Sequence, residues 1–400
     1  MRRHLPTTLV ACLLFTTASR LLGADVATRL AQRDFPSVFQ AWNPLDMPAA
    51  WPLATNEGRL RAAAKHDVVW EEPVSQLGFK TPLVLGAVWD HAHGGLATRF
   101  TAASEKQALA NRAAMLLQNP DMVFLLEVRW RDAPGSFLPE NSPFWKRAAD
   151  GTRAKGWDNG PEPYYLLNPE NAEFRANIAR QCRAALASGI YDGVMLDWSG
   201  HLGVVQDTRA ALGPDAIIIV NIHDKIGDAE KYRDLINGSF MECNPDGPGL
   251  PTKGNGTTWD NLRAGYVFME QNLRTPRFNC LEVWGDRADL RRMRAATTLA
   301  LTHGDGSVLF ADPNPLKTPD HLHDWYPFWD VKLGRPLAAR TDRPDGASLR
   351  EFTGGTVVYN HHRNPTATVT FPTPRKRISD NSVAGSFTIP DADGDIFVIP

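Results

Sequence analysis

Four cysteines in 400 residues are too few to hold a fold together. Cys12 lies in an N-terminal segment treated below. The other three, Cys182, Cys243 and Cys280, are odd in number and form no CxxC pair, which excludes a disulfide framework and a cysteine-based zinc site. Charge of one sign is equally scarce: 43 Lys and Arg against 45 Asp and Glu leave a formal charge of −2, so neither nucleic acid nor a membrane surface is expected as a partner. No apolar run reaches the roughly 20 residues of a spanning helix. No GxGxxG or GxxxxGK(S/T) turn follows an early strand candidate, and GxSxG and HExxH are absent, so nucleotide-binding, serine-esterase and zincin chemistries lack their local markers.

What is present is a 43% apolar, 22% charged composition, enough core for one large domain and a small one. Arg2 and Arg3, the apolar run Leu9 to Ala18 and the small residues Gly23-Ala24 follow the order of a secretory signal peptide, predicting residues 1–24 as a leader and a secreted or periplasmic mature chain from Asp25. Leu9-Val10-Ala11-Cys12 resembles a lipoprotein cleavage box, but most of the apolar run lies after Cys12. Without Arg2, Arg3 and Arg20 the chain carries 40 basic and 45 acidic residues, a charge of −5. The expected partner is small or neutral.

From Asp25 onward short β-branched or aromatic runs alternate with longer helical patterns. The strand candidates are 67–70, 122–130, 164–167, 192–198, 216–221, 239–243, 278–284 and 307–312, with Leu83 to Trp89 as an additional loop strand. Stretches rich in Ala, Leu and Arg separate them, several introduced by Ser, Asn or Asp. Eight strand–helix alternations predict an α/β fold, a (β/α)8 TIM barrel over 25–337. After Leu337 short alternating segments between Gly354-Gly355, Asn364-Pro365 and Asp393-Gly394 turns predict a small C-terminal all-β, sandwich-like domain over 338–400.

A parallel barrel carries its chemistry at the C-terminal ends of its strands. Those ends supply Glu127, Asp197, Asn221, Glu242 and Glu282, beside Trp70, Trp89, Trp130, Trp198 and Trp284. Tryptophans beside carboxylates suit a sugar ring, which offers a flat apolar face and polar edges, so these five tryptophans and Asn221 are the candidate carbohydrate-binding residues. Strand alternation turns Asp197 inward with Met195 and Gly193, and allows Glu242 with Phe240 and Glu282 with Cys280 the same orientation, leaving Cys243 outside. Two facing carboxyl groups are what glycosidic cleavage requires, one as acid and one as nucleophile or base. Asp197 and Glu242 on the fourth and sixth strands form that pair, with Glu282 and Glu127 as further acids. The competing reading has such an acid paired with Arg129 or a backbone amide, holding the barrel only.

Several motifs together carry a resemblance. Tyr191-Asp-Gly-Val-Met-Leu-Asp-Trp198, Asn237-Gly-Ser-Phe-Met-Glu242, Leu281-Glu-Val-Trp284, Thr302-His-Gly-Asp-Gly306 and the run from His323 to Pro336 resemble the glycosyl-hydrolase-like barrel proteins grouped as hypothetical glycosyl hydrolase family 15. The resemblance spans about His66 to the C-terminus. It implies a (β/α)8 barrel with a C-terminal β-domain acting on carbohydrate, but assigns no residue roles. Pairing of acids on strands four and six in better-understood barrels supports Asp197 and Glu242 by analogy.

Two other functional classes compete. Asp90-His91-Ala92-His93 and His321-Leu322-His323 have metal-ligand HxH spacing, which with His223 and Asp312 points to a metal-dependent amidohydrolase; against it, the fourth strand offers no lysine and the sixth no histidine. A non-catalytic carbohydrate-binding barrel would keep the tryptophans and use the acids as acceptors. The preferred reading is a secreted glycoside hydrolase without cofactor or metal. Asp391-Ala-Asp393-Gly-Asp395 reads as a hairpin turn, since the glutamate that completes a calcium loop is missing. His361-His362 reads as a solvated loop. Trp325 to Trp329 reads as glue between the two domains.

Overall fold

Chain alternation and parallel pairing build a closed barrel in this computed structural model, which describes residues 25–42, 55–73, 84–157, 163–246, 255–312 and 321–400. The expected leader 1–24 lies outside the described residues. The barrel strands are Phe39–Gln40 (β1), Val68–Glu71 (β2), Val123–Glu127 (β3), then, after Asp132–Pro134 (β4) and Tyr164–Leu166 (β5), Gly193–Leu196 (β6), Ile217–Asn221 (β7) and Gly238–Pro245 (β8). Gly256–Thr257 (β9) pairs at the end of β8, and Cys280–Trp284 (β10) and Ser307–Ala311 (β11) complete the set. Neighbours pair in parallel in the order β1-β2-β3-β6-β7-β8-β10-β11, and a parallel bridge from Val38 to Val308 joins the last strand to the first.

The expected barrel is therefore present, with two corrections to its strands. Tyr164–Leu166 pairs antiparallel with Asp132–Pro134 in an excursion of the third connection and is no barrel strand. The true first strand, Phe39–Gln40, is two residues long and carries no readable period. The two errors cancel, so Asp197 still comes just after the fourth strand, and Glu242 and Glu282 lie within the sixth and seventh. Leu83 to Trp89 forms no strand in its described part; Trp89 makes a single antiparallel bridge to Phe100.

The helices are Val26–Gln32 (α1), Asn56–Ala63 (α2), Ala102–Leu116 (α3), Ala172–Ala187 (α4), Leu202–Leu212 (α5), Ile226–Tyr232 (α6), Trp259–Asn272 (α7) and Leu290–His303 (α8). Side-chain caps start most of them: Thr101 accepts from Ser104 N, Asn171 from Glu173 and Phe174 N, Thr258 from Asn261 N and Asp289 from Arg292 N. Helix α1 closes the bottom of the barrel, with Leu30 in the interior cluster and Arg29 bonded to Asp192. After β11 no α-helix follows among the described residues; the segment from His321 to Leu333 takes that place with Tyr326, Phe328 and Trp329 buried.

Strand parity divides the core as expected. Phe39, Trp70, Val123, Leu125, Met195, Ile217, Ile219, Phe240, Cys280 and Leu309 fill the lumen. Val194, Leu196, Val220, Met241, Cys243, Leu281 and Val283 pack outward against helices. Gly193 is required by close approach, because a Cβ there would lie 2.2 Å from the Ile217 carbonyl oxygen, and this contact sets the height of the strand carrying Asp197.

Past residue 337 six strands form one antiparallel sheet: Thr341–Asp342 (β12), Ser348–Phe352 (β13), Gly355–Asn360 (β14), Ala367–Arg377 (β15), Val383–Ile389 (β16) and Asp393–Val398 (β17), in the order β12-β13-β14-β17-β15-β16. One face puts Phe352, Val357, Tyr359 and Ile396 into the barrel's outer core; Val358, Phe397, Val369, Phe387 and Ile389 form a separate cluster. The Trp325 to Trp329 cluster is glue as expected: Trp329 packs in the same core as Phe352 and donates to Thr297 on α8. Asp391 and Asp393 pair with Arg291 and Arg294 of α8, which makes the acidic turn an interdomain latch. His361, read as solvated, instead accepts from Arg263 on α7 and bonds Ser348.

Candidate active site

The inward residues at the strand ends form a nearly continuous ring of contacts. Asn221 at the end of β7 donates from Nδ2 to Asp197 Oδ1 at 3.0 Å and to Glu242 Oε2 at 3.0 Å. Both carboxylate oxygens lie 3.0 Å from one nitrogen, so twice that distance, 6.0 Å, is the upper limit on their separation. Glu242 stands level with Glu282 on the adjacent strand. Glu282 Oε1 lies 2.8 Å from His321 Nδ1. The His321 ring stacks on Trp42 at 4.6 Å, and the Trp42 indole N–H bonds Glu127. Arg129 lies 3.3 Å from Glu127 and 3.6 Å from Glu72. Phe240 and Trp70, 5.1 Å apart, form the aromatic floor.

Burial dominates the electrostatics. It pushes the Glu242 carboxyl up to about 8, with Glu282 and Asp197 adding to the shift and His321 and the Asn221 hydrogen bond opposing it. Burial also raises Glu127 well above its ordinary value; Arg129 opposes this and Glu72 and Asp197 reinforce it. Asp197 is raised by burial, against Arg129 and the Asn221 hydrogen bond. Desolvation works against the Arg129 charge, but Glu127 and Glu72 more than offset it and hold the guanidinium above its ordinary range.

The backbone is strained at the same level. Trp42, Trp198, His223, Asp246 and His321 all have positive φ, at 48°, 75°, 53°, 46° and 60°, and each lies just beyond a barrel strand or beside the ring. Left-handed backbone at bulky residues costs of order 1–3 kcal/mol each and concentrates where side chains must be aimed at a site.

The residues singled out from sequence divide into those that meet here and those that do not. Asp197, Asn221, Glu242, Glu282 and Glu127 meet. Asn221, expected as a substrate contact, holds the two acids. Glu127 is bound to Arg129, the purely structural pairing considered for such acids. Among the tryptophans only Trp198 is open, 44% exposed, with the Arg131 guanidinium 3.6 Å over its ring. Trp70 and Trp284 are fully buried, Trp70 beneath the acids. Trp89 stacks on Phe100 at 4.1 Å in the outer core, and Trp130 is buried in the same core, so neither presents a face to a ligand. Adjacency to a strand end does not say to which side a loop indole turns.

The metal-dependent amidohydrolase arrangement is absent among the described residues. His91 and His93 lie on an outer loop, where His93 bonds the Ser136 carbonyl. The second HxH pair splits: His321 enters the ring, while His323 lies 2.9 Å from His66, Nε2 to Nε2. Asp312 pairs with Arg287, and His223 bonds the Glu242 carbonyl oxygen. One different set of possible ligands does exist: Glu242, Glu282 and His321 offer ligand atoms within 4.8 Å of one another. Sequence reasoning missed Trp42, which no strand pattern flagged, and the pairing of His321 with Glu282.

No family model and no curated protein sequence matches the chain. Solved structures do. A noncanonic maltogenic alpha-amylase from Thermotoga neapolitana aligns with a TM-score of 0.55 at 10% identity, over 91% of this chain and 99% of that one. The cyclic alpha-maltosyl-(1→6)-maltose hydrolase of Arthrobacter globiformis aligns at 0.53 and 12%, covering 92% and 98%. An alpha-amylase from Malbranchea cinnamomea aligns at 0.52 and 13%, covering 94% and 98%. At such identities the likeness shows the fold.

Proposed function

We propose that the protein is a glycoside hydrolase that cleaves with retention of configuration, using Asp197 as nucleophile and Glu242 as acid and then base. The observation that carries this reading is the shared Asn221 nitrogen. It holds one oxygen of each carboxylate within 6.0 Å of the other, and a shared donor this close favours the roughly 5–5.5 Å carboxyl separation of a retaining pair over the roughly 6.5–9.5 Å that leaves room for water in an inverting one. The roles follow from the surroundings. Asp197 has the Asn221 amide and the Arg129 charge to favour its ionised form. Glu242 stands between Asp197 and Glu282 with no guanidinium bonded to it, which favours a proton.

In the first step an Asp197 oxygen attacks the anomeric carbon, the bond to the departing oxygen breaks, and Glu242 transfers its proton to that oxygen. In the second, Glu242 takes a proton from water, the water oxygen bonds the anomeric carbon, and the Asp197 ester is released. Trp198 offers an open face for a sugar beyond the cleaved bond. The motif resemblance to hypothetical family 15 supports the same chemistry, and the names of the fold neighbours make α-glucans the first substrates to try. Secretion through residues 1–24 belongs to this reading, and N-terminal sequencing of exported protein tests it.

The deciding experiment is reducing-sugar release from a glycan panel by wild type, Asp197→Asn and Glu242→Gln, with product anomers read by NMR. Release lost in both variants, with the starting anomer first formed, is expected. Release with inverted anomer overturns the pair's geometry. Glycan binding without release, unchanged in both variants, favours the non-catalytic barrel.

A further inference from the structure

The carboxyl groups of the ring, Glu127, Asp197, Glu242 and Glu282, are buried or half-buried, and among the described residues the cationic partners bonded to them are Arg129 and, if protonated, His321. Arg129 is committed to the Glu72 and Glu127 side. Across the lumen Glu242 and Glu282 stand level on neighbouring strands, two carboxyl groups with no guanidinium bonded to either among the described residues. Glu282 Oε2 is fully buried and has no hydrogen-bond partner among the described residues. A buried carboxylate oxygen left this way is costly unless a ligand supplies positive charge or a donor.

We propose that Glu242, Glu282 and His321 bind a divalent cation of the zinc type, and that the ion and the catalytic proton compete for Glu242. The ligand atoms of the three side chains all lie within 4.8 Å of one another. One imidazole with two carboxylates is a nitrogen-oxygen set suited to zinc; calcium takes six to eight oxygens and magnesium keeps several waters. The imidazole is held in advance, stacked on Trp42 at 4.6 Å, edge-on to Phe240 at 5.8 Å and set by the left-handed backbone of His321. Three protein ligands leave a fourth position for water or a substrate oxygen. This site differs from the HxH arrangement, since it takes one histidine of that pair and neither histidine of the other.

Zinc binding itself does not depend on the glycosidase reading; only its effect on hydrolysis does. A metal-bound Glu242 cannot donate a proton, so the loaded protein is the inactive form. The test uses the chain from Asp25, stripped with a chelator and titrated with Zn²⁺ by calorimetry, with metal content measured after desalting. One ion per chain is expected, with binding weakened roughly 100-fold or more in His321→Ala and in Glu282→Gln. Circular dichroism on both variants separates lost ligands from lost fold, and Co²⁺ absorption in Glu282→Asp, which keeps a carboxylate, provides a second reading if either unfolds. No binding by wild type, equal binding by the variants, or binding abolished instead by His91→Ala with His93→Ala overturns the proposal. If sugar release is found, Zn²⁺ should suppress it and a chelator restore it; full activity at saturating Zn²⁺ overturns the competition for Glu242. Zinc binding without sugar release from any glycan would overturn the glycosidase reading and leave the metal site standing.

Discussion

In the C-terminal sheet and its latch, acids have arginine partners: Asp342 with Arg340, Asp345 with Arg343, Asp380 with Arg377, Asp391 with Arg291 and Asp393 with Arg294, Arg377 also lying 3.9 Å from Asp395. At the barrel mouth the four ring carboxyls Glu127, Asp197, Glu242 and Glu282 share one arginine and one histidine among the described residues. The consequence is opposite in sign. Hydrogen bonds from their arginines hold Asp342, Asp345 and Asp380 below the ordinary carboxylate range. Burial raises Glu242, Glu127 and Asp197. Asp395, buried beside Ser379 and pushed up to about 6, is the sheet's exception and shows that a low-dielectric setting, not the domain, decides. A paired acid is fixed in place, and at α8 two such pairs fasten the sheet to the barrel. An acid deprived of a partner is available to exchange a proton or an ion.

That contrast can be broken most severely at Asn221. Asn221→Ala removes the nitrogen common to both acids, and kcat for the responding glycan should fall about 10³-fold, about 4 kcal/mol, with the fold retained by circular dichroism. A rise in KM alone would make Asn221 a substrate contact. The next largest effect lies at Glu71, whose carboxyl accepts from Leu85 N and is pushed up to about 7 by burial, opposed by the Leu85 and Val84 amides. The folded protein keeps a proton there that the unfolded chain releases from about 4.5 upward, so this group's contribution to stability falls as pH rises through that window. Between pH 5 and 8 wild type should lose up to about 3 kcal/mol relative to Glu71→Gln in urea unfolding, and parallel curves would contradict the assignment.

On the paired side, Arg294→Ala leaves the buried Asp393 without its partner and should cost roughly 2 kcal/mol of stability while kcat stays unchanged. Chemical denaturation and a rate assay on the same sample check both halves. The smallest effect belongs to the more exposed Arg343–Asp345 pair, where Arg343→Ala should cost less than about 1 kcal/mol at neutral pH. Asp345 has a lowered pKa, so its contribution is present at neutral pH and is lost as pH falls through that value. The difference from wild type should therefore vanish in strong acid, the reverse of the Glu71 trend.

How much of the fold and the ring is legible in the sequence follows from what each signal measures. Alternation reports which face of a strand a residue occupies, so the inward orientation of Asp197, Glu242 and Glu282 can be read from residue spacing alone. It fails for a strand of two residues such as Phe39–Gln40, and it cannot separate a barrel strand from the antiparallel excursion at Tyr164, because both bury the same aromatic types. It fails again where the backbone turns left-handed. His321 and His323 would share a side in an extended segment, yet φ of 60° at His321 sends one imidazole to Glu282 and leaves the other at His66. Partners distant in sequence carry no local mark at all: Trp42 on His321, or Arg263 on His361.

That no α-helix follows β11 among the described residues bears on modularity. A (β/α)8 unit with all its helices can be separated from an appended domain and still cover its own strands. Here Phe352 packs 5.8 Å from Phe35, just ahead of the first strand, and Val357, Tyr359 and Ile396 share one core with α8. The sheet is thus part of the barrel's outer jacket, and a gene cut at codon 337 would encode a protein with an exposed apolar seam. Exchange of C-terminal domains among related barrels would have to carry the His321 to Leu333 segment along, which means that the ring histidine and the sheet are inherited together.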